Sequence, residues 1–163
     1  MRKLIKSFQM LFACIFMLFI FRNSPTMDSI TPGQSIRDGQ TLVSAGGVFE
    51  MGFFSPYNSK SRHLGTWYNN VSPRMVVWVA NREAPLINHF GVLNVTHEGT
   101  LVLFDERNSS VWSSNKLRTA GNLVLQLLDS GNLVVKDGND TDLENALWQI
   151  KVSIILVTHC YLA

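Results

Sequence analysis

The side chains of this sequence best suited to acid–base, metal or thiol chemistry are three of its four histidines (63, 89 and 97), an acidic run at residues 137–142 and two cysteines. Their spacing assembles none of these chemistries. The histidines are scattered through turn-like or strand-edge sequence, without a His-Glu-x-x-His pair, and read as surface residues. Asp137-Gly138-Asn139-Asp140-Thr141-Asp142 resembles a calcium loop in composition. Its sixth position is Asp142 where such a loop needs glycine, and its twelfth is Trp148 where it needs glutamate. A solvated turn is expected there. There is no glycine-rich phosphate loop and no Cys-x-x-Cys. The expectation is no enzyme, no metal and no cofactor. One modification chemistry is well represented. Four N-glycosylation sequons begin at Asn70, Asn94, Asn108 and Asn139, none with proline in the middle.

Sequons matter only on an exported chain, and the N-terminus predicts export. Arg2, Lys3 and Lys6 form a basic region ahead of an unbroken apolar run at residues 10–21 (MLFACIFMLFIF). That run fits a secretory signal and falls short of the roughly 20 residues needed to span a bilayer. Cleavage is expected before Asp28, which gives a signal peptide at residues 1–27 and a secreted, extracellular (apoplastic) chain. Retained as an anchor, the same run would leave the chain at the plasma membrane. Cys14 lies inside the signal, so only Cys160 remains. No internal disulfide is expected, and the fold must rest on a packed core. The formal net charge of +2 also changes on cleavage. Four of the fourteen basic residues precede Met27 and all twelve acids follow it, leaving ten against twelve. A weakly acidic domain has no electrostatic footprint for nucleic acid.

The elements that must position any site are strands. Residues 48–54, 75–80, 100–104, 123–128 and 133–136 are rich in β-branched and aromatic side chains, with Gly46-Gly47, Ser55-Pro56, Glu98-Gly99 and Ser130-Gly131 between them as turns. No capped helical period of useful length follows the signal, so an all-β domain is predicted. An internal repeat refines this. Val77-Trp78-Val79-Ala80-Asn81-Arg82 and Val111-Trp112-Ser113-Ser114-Asn115-Lys116 share one pattern, and a third tryptophan follows at Trp148. The segments 99–105 and 131–137 each read as glycine turn, strand and acidic turn, and a strand with tryptophan follows. Three units of about 35 residues imply three similar sheets, none able to bury its apolar face alone. Packed around an axis, they would bring Trp78, Trp112 and Trp148 into a shared core. Each would contribute roughly 150–250 Å² of buried area, or about 4–6 kcal/mol of gross burial.

The runs Asp28-Ser29-Ile30-Thr31-Pro32-Gly33-Gln34, Phe49-Glu50-Met51-Gly52-Phe53-Phe54-Ser55-Pro56, Leu64-Gly65-Thr66-Trp67-Tyr68, Val76-Val77-Trp78-Val79-Ala80-Asn81-Arg82 and Leu128-Asp129-Ser130-Gly131-Asn132-Leu133-Val134 occur in the order found in plant S-locus glycoproteins and S-receptor-like serine/threonine kinases. Residues 28–149 are similar to the bulb-type (G-type) lectin domain of that family. The resemblance implies an all-β fold, a β-prism of three four-stranded sheets with pseudo-threefold symmetry. It also implies carbohydrate recognition by the motif Gln-x-Asp-x-Asn-x-Val-x-Tyr. Alternate residues of a strand share one face, so such a motif would set an amide, a carboxylate and a second amide beside an apolar platform and a phenol.

The sequence departs from that motif in every repeat. In the second, the matching positions are Thr96, Glu98, Thr100, Val102 and Phe104. In the third they are Leu128, Ser130, Asn132, Val134 and Lys136, with Asp129 displaced by one residue and hence, on a regular strand, onto the opposite face. The corresponding stretch of the first repeat, around residues 59–67, keeps none of the polar triplet. A site tuned to hydroxyls loses affinity steeply when its partners are missing, so weak or lost mannose affinity is expected. Lys136 in the phenol's place would favour an acidic sugar. After Gln149 the family continues with Ser-Phe-Asp and further modules, whereas residues 150–163 (IKVSIILVTHCYLA) form a divergent tail. The sequence therefore reads as a receptor-like kinase ectodomain truncated after its lectin domain. Expected partners are cell-wall or glycoprotein glycans and receptor-like kinase ectodomains, in recognition signalling. The other reading is a structural spacer that binds nothing.

Overall fold

The computed structural model describes residues 27–56, 59–114, 121–140 and 146–150. The strands run in chain order as β1 (Ser29–Ile30), β2 (Ser35–Arg37), β3 (Thr41–Val43), β4 (Phe49–Phe54), β5 (His63–Tyr68), β6 (Val76–Val79), β7 (Val92–Val95), β8 (Leu101–Phe104), β9 (Ser110–Ser113), β10 (Leu123–Leu127), β11 (Leu133–Asp137) and β12 (Trp148–Ile150). They form three four-stranded antiparallel sheets in the orders β3-β4-β5-β6, β2-β7-β8-β9 and β1-β10-β11-β12. These are the sheets of the first, second and third repeats. Each repeat supplies three consecutive strands, and the fourth comes from the segment ahead of all of them.

That leading segment visits the sheets in reverse order. β1 pairs with β10, β2 with β7 and β3 with β4. Two equivalent turns carry it across. Gln34 N–H bonds to Thr31 C=O at 3.0 Å around Pro32-Gly33, and Gln40 N–H bonds to Arg37 C=O at 2.9 Å around Asp38-Gly39. Gly33 and Gly39 sit at φ +88° and +91°, the third position of a type II turn, where a side chain would be strained. Each glutamine then folds back, so that Gln34 Oε1 accepts Thr31 N–H at 2.8 Å and Gln40 Oε1 accepts Arg37 N–H at 2.9 Å. Fifteen residues thereby tie three sheets together in a chain for which no internal disulfide is expected.

Alternation sends one set of side chains inward. Ile30, Ile36, Leu42, Met51, Leu64, Leu93, Leu101, Leu103, Leu125, Leu133 and Val135 belong to one cluster drawn from all three sheets. Fully burying a residue of this kind is worth about 1.5–3 kcal/mol relative to exposure. The repeated tryptophans sit differently from expectation. Trp78, Trp112 and Trp148 are half-buried and pack against the margin of this aliphatic core instead of filling its centre. Trp78 and Trp112 meet edge to face, 5.8 Å between centroids and 72° between planes. The deeply buried tryptophan is Trp67, 3% exposed.

The hairpins follow the repeated pattern. Asp105 Oδ1 accepts the N–H groups of Arg107 and Ser109 at 2.9 and 2.8 Å, and Asp137 Oδ1 accepts that of Asn139 at 2.9 Å. Asp137 thus closes a turn. Among the described residues no group of histidine, cysteine and carboxylate side chains could hold a metal ion. β12 extends to Ile150, which pairs with Leu133 and packs against the core. The last sheet therefore runs one residue past the boundary read at Gln149. Residues 1–26 and 151–163, including Cys14 and Cys160, lie outside the described residues.

Candidate functional site

Each sheet turns one face to the core and the other outward, and the motif positions of a sugar site belong to the outward faces. The three faces have diverged. On the first, Glu50, Gly52 and Phe54 of β4 stand beside Trp67, Gly65 and His63 of β5. The glycines make room for the rings. A Cβ on Gly65 would come within 2.8 Å of Phe54 Cε1, and one on Gly52 within 3.4 Å of the Trp67 ring. Trp67 Nε1 donates to Glu50 Oε2 at 2.9 Å, and the Arg74 guanidinium carbon lies 4.3 Å from the centre of the indole, a cation–π arrangement. Phe54, Trp67 and Val79 form a second buried cluster with Val76 at its edge. This face is filled by the protein's own side chains.

His63 is buried against Phe54 of that cluster, which corrects its reading as a surface residue. It is 6% exposed, its ring centroid 5.9 Å from that of Phe54. Burial holds its pKa below the ordinary 6.5, against a smaller upward pull from hydrogen bonding to the Asn81 backbone. His89 is exposed, as read, and its Nδ1 lies 2.9 Å from Asp38 Oδ2. His97 is exposed on the β7–β8 turn.

On the third face Val134 and Lys136 lie on one side of β11 with the alternation read from sequence, and Asn132 sits just ahead of the strand. Val134 is opposite Gln126 of β10 and Gln149 of β12, and Lys136 is opposite Val124. Val134 is nevertheless 0% exposed, so it offers no surface as an apolar platform. Gln126 Nε2 is committed to Asp28 Oδ2 at 2.8 Å. Ser130 lies in the preceding turn, where its Oγ accepts Asn132 N–H at 3.4 Å. The displaced acid has structural work, since Asp129 Oδ1 accepts Gly46 N–H at 2.8 Å across 83 residues, joining this turn to the β3–β4 hairpin.

The second face is open. Of its five motif positions, Val102 and Phe104 are half-buried on the outward side of β8, whereas Thr96, Glu98 and Thr100 shape the β7–β8 turn. Thr96 Oγ1 accepts Thr100 N–H at 3.1 Å, and Glu98 is exposed at the turn's tip. Phe104 forms part of a cleft of about 520 Å³, whose other walls are Arg37 of β2, Phe90 of the loop before β7, Val92 and Asn94 of β7 itself, and Asp105, Glu106 and Asn108 of the β8–β9 hairpin. The size falls in the usual range of ligand clefts. Phenyl groups supply an apolar platform here, and a guanidinium, two carboxamides and two carboxylates surround it, a set matched to a hydroxyl-bearing ligand. Phe104 was legible in the sequence. Arg37, Phe90, Val92 and Asn94 were not, because their place depends on β2 crossing from a distant segment to the edge of β7.

The sequon asparagines divide between two settings. Asn70 and Asn139 are exposed in turns, and Asn94 and Asn108 line the cleft.

Comparison with known proteins agrees with this architecture. Residues 75–153 match a family model described as D-mannose binding lectin. Two G-type lectin S-receptor-like serine/threonine-protein kinases of Arabidopsis thaliana are similar to the chain. One is 39% identical over 138 residues, covering 85% of this chain and 17% of the relative. The other is 41% identical over 137 residues, covering 80% and 16%. The chain thus spans about a sixth of these relatives' length. Among solved structures, a monomeric monocot mannose-binding lectin from Gastrodia elata aligns with TM-score 0.54 and 24% identity over 75% of this chain and 94% of its own. The snowdrop (Galanthus nivalis) mannose-specific agglutinin, complexed with methyl-α-D-mannoside, aligns with TM-score 0.52 and 18% identity over 71% and 94%. At these identities the likeness is one of fold.

Proposed function

We propose, on the footing that this chain carries a bulb-type lectin domain, that it is a carbohydrate-recognition module whose working surface has contracted to the cleft on the second sheet. The lectin fold is not catalytic; the kinase activity named for the relatives would reside in other domains. The observation that carries the proposal is the difference between the three outward faces. The first is packed with Trp67, Phe54 and Val79, the third has its valine fully covered, and the second presents Phe104 at an open cleft. None retains the amide–carboxylate–amide set of the mannose motif. Mannose affinity is therefore weak or lost, and the ligand is another hydroxyl-bearing molecule, such as a cell-wall or glycoprotein glycan.

The same reading makes residues 1–27 a signal peptide, places the domain outside the cell and gives it a role in recognition signalling beside receptor-like kinase ectodomains. The basic and apolar N-terminal runs and the four sequons support export. Calorimetry on non-glycosylated protein tests the cleft, with methyl mannoside, galacturonate oligomers and neutral cell-wall oligosaccharides as probes. The expected result is no micromolar mannose binding, and a weak oligosaccharide interaction lost in Phe104→Ala and Arg37→Ala but kept in Lys136→Ala. Loss in Lys136→Ala instead would move the site to the third sheet. Silence with every oligosaccharide would leave the domain a structural spacer.

A further inference from the structure

Two of the four sequon asparagines line the cleft on the second sheet, one from a strand and one from a hairpin. Asn94 lies in the middle of β7, opposite Ser35 of β2 and Val102 of β8. It is half-buried, and its side chain faces outward into the cleft with Phe104 and Arg37. Asn108 sits at the tip of the β8–β9 hairpin with φ +58° and is exposed at the cleft's rim. Both sequons are complete, as Asn94-Val95-Thr96 and Asn108-Ser109-Ser110. We infer that the chain's own N-glycan on Asn94 occupies the cleft, so that glycosylation decides whether this face is open to an outside ligand. The inference rests on the reading of the chain as exported and of the cleft as its carbohydrate surface.

The position of Asn94 favours a glycan that lies in the cleft. The Asn94 side chain leaves the outward face between Ser35 of β2 and Val102 of β8, so the first N-acetylglucosamine starts inside the cleft, with the Phe104 ring and Arg37 among its walls. There the Phe104 ring meets the apolar face of a sugar, and Arg37, Asp105 and Glu106 meet its hydroxyls and acetamido group. About 520 Å³ accommodates the innermost sugars of a core glycan. Half-burial of Asn94 in the folded protein is no obstacle to its modification, because the oligosaccharide is transferred while the entering chain is still unfolded. A glycan on Asn108 starts at the rim and can swing into solvent, so it screens the cleft without filling it. Those on Asn70 and Asn139 start from exposed turns that are not part of the cleft.

Full-length protein secreted from a eukaryotic host supplies the test. Glycopeptide mass spectrometry follows each site during enzymatic deglycosylation of native and of denatured protein. Asn94 should be occupied and should keep its glycan in the native protein over the time that strips Asn139, then release it after denaturation. An unoccupied Asn94, or native release as fast as at Asn139, overturns the inference and leaves the cleft proposal standing. A second arm compares glycosylated wild type with Thr96→Val, which removes the sequon but leaves Asn94 in place. Oligosaccharide binding should be absent in the first and present in the second, with Asn139→Gln binding no better than wild type. If Thr96→Val folds, as judged by circular dichroism, and still binds nothing while Asn94 shelters its glycan in wild type, the carbohydrate reading of the cleft falls and the occlusion remains. Measurable oligosaccharide binding of equal strength by wild type and Thr96→Val overturns the occlusion itself.

Discussion

Asp38→Ala should be among the most destabilising single substitutions outside the core. Asp38 lies in the turn between β2 and β3, and its side chain is 6% exposed. Both of its oxygens face Arg62, whose side chain is 13% exposed. Nε donates to Oδ2 at 2.8 Å, and Nη2 donates to Oδ1. Arg62 also reaches Ser55 Oγ and Phe53 C=O, each at 3.3 Å, and its backbone pairs with Leu86. One carboxylate therefore ties the N-terminal segment to β4, β5 and the loop after β6. Removing it strands a guanidinium that has little water to fall back on. Breaking one side of a buried pair costs about 3–5 kcal/mol, a large part of the roughly 5–15 kcal/mol that holds a domain folded. With a urea m-value of about 2 kcal/mol per M, the midpoint should fall by about 2 M. The double variant Asp38→Ala with Arg62→Met should lose clearly less than the sum of the two singles, since no charge is left stranded. His89 contacts the same carboxylate but is 76% exposed, so His89→Ala should stay within about 0.5 kcal/mol of wild type. A loss below about 1 kcal/mol for Asp38→Ala, or strict additivity in the double, would refute the claim that this pair acts as a buried clasp.

Three further outcomes are expected. Gly65→Ala should destabilise by about 1–3 kcal/mol, because the new Cβ would lie 2.5 Å from the Trp78 carbonyl oxygen, which the sheet holds in place; an unchanged melting temperature would mean the first face is loosely packed. Trp67→Ala should cost about 3–5 kcal/mol and Trp112→Ala less, since Trp67 is 3% exposed and Trp112 half-buried; the reverse order in urea denaturation would restore the tryptophans of the repeat as the centre of the core. His63, with its pKa below 6.5 when folded, takes up its proton in the unfolded chain first. Stability should hold above that pH and decline below it until the folded value is reached, at no more than about 1.4 kcal/mol per pH unit. His63→Gln should flatten the profile relative to wild type, and parallel profiles would show that His63 does not contribute.

The sheets were legible in the sequence because their strongest signals are local. Residues 48–54, 100–104 and 133–136 are rich enough in β-branched, aromatic and other apolar side chains to declare a strand, and glycines mark the turns that pair them. The leading strands were not legible. At two or three residues each, β1, β2 and β3 are too short to show alternation, and only their pairing with β10, β7 and β4 makes them strands. Trp67 was overlooked for a related reason. The repeated Val-Trp pattern drew attention to Trp78 and Trp112, whereas the burial of Trp67 depends on Gly52 and Gly65 leaving flat ground beneath the rings. Those two glycines, inside strands and not in turns, were the available signal. The same holds for His63, which is buried because Phe54 lies beside it.

The cleft exposes a deeper limit of reading one strand at a time. A motif such as Gln-x-Asp-x-Asn-x-Val-x-Tyr can be scored on its own strand, and by that score the second and third repeats are similarly decayed. Position within a sheet separates them. Val134 and Val102 are matched residues of matched strands, yet one is 0% exposed and the other half-exposed to a cleft-bearing face. What differs is the company supplied from elsewhere: Gln126 and Gln149 beside Val134, and Asn94 with Ser113 beside Val102. The packed first face makes the same point from the side of stability. For a chain with no expected internal disulfide, laying Trp67 and Phe54 over the sheet adds a second apolar cluster, at about 1.5–3 kcal/mol or more per large side chain. A face used that way cannot also hold polar groups ready for a sugar, because those groups would have to stay solvated and unpaired where the rings now lie. Stability and recognition thus compete for each outward face. With one face packed and another's valine covered, the proposed carbohydrate surface is the face whose cleft also carries two of the chain's own glycosylation sequons.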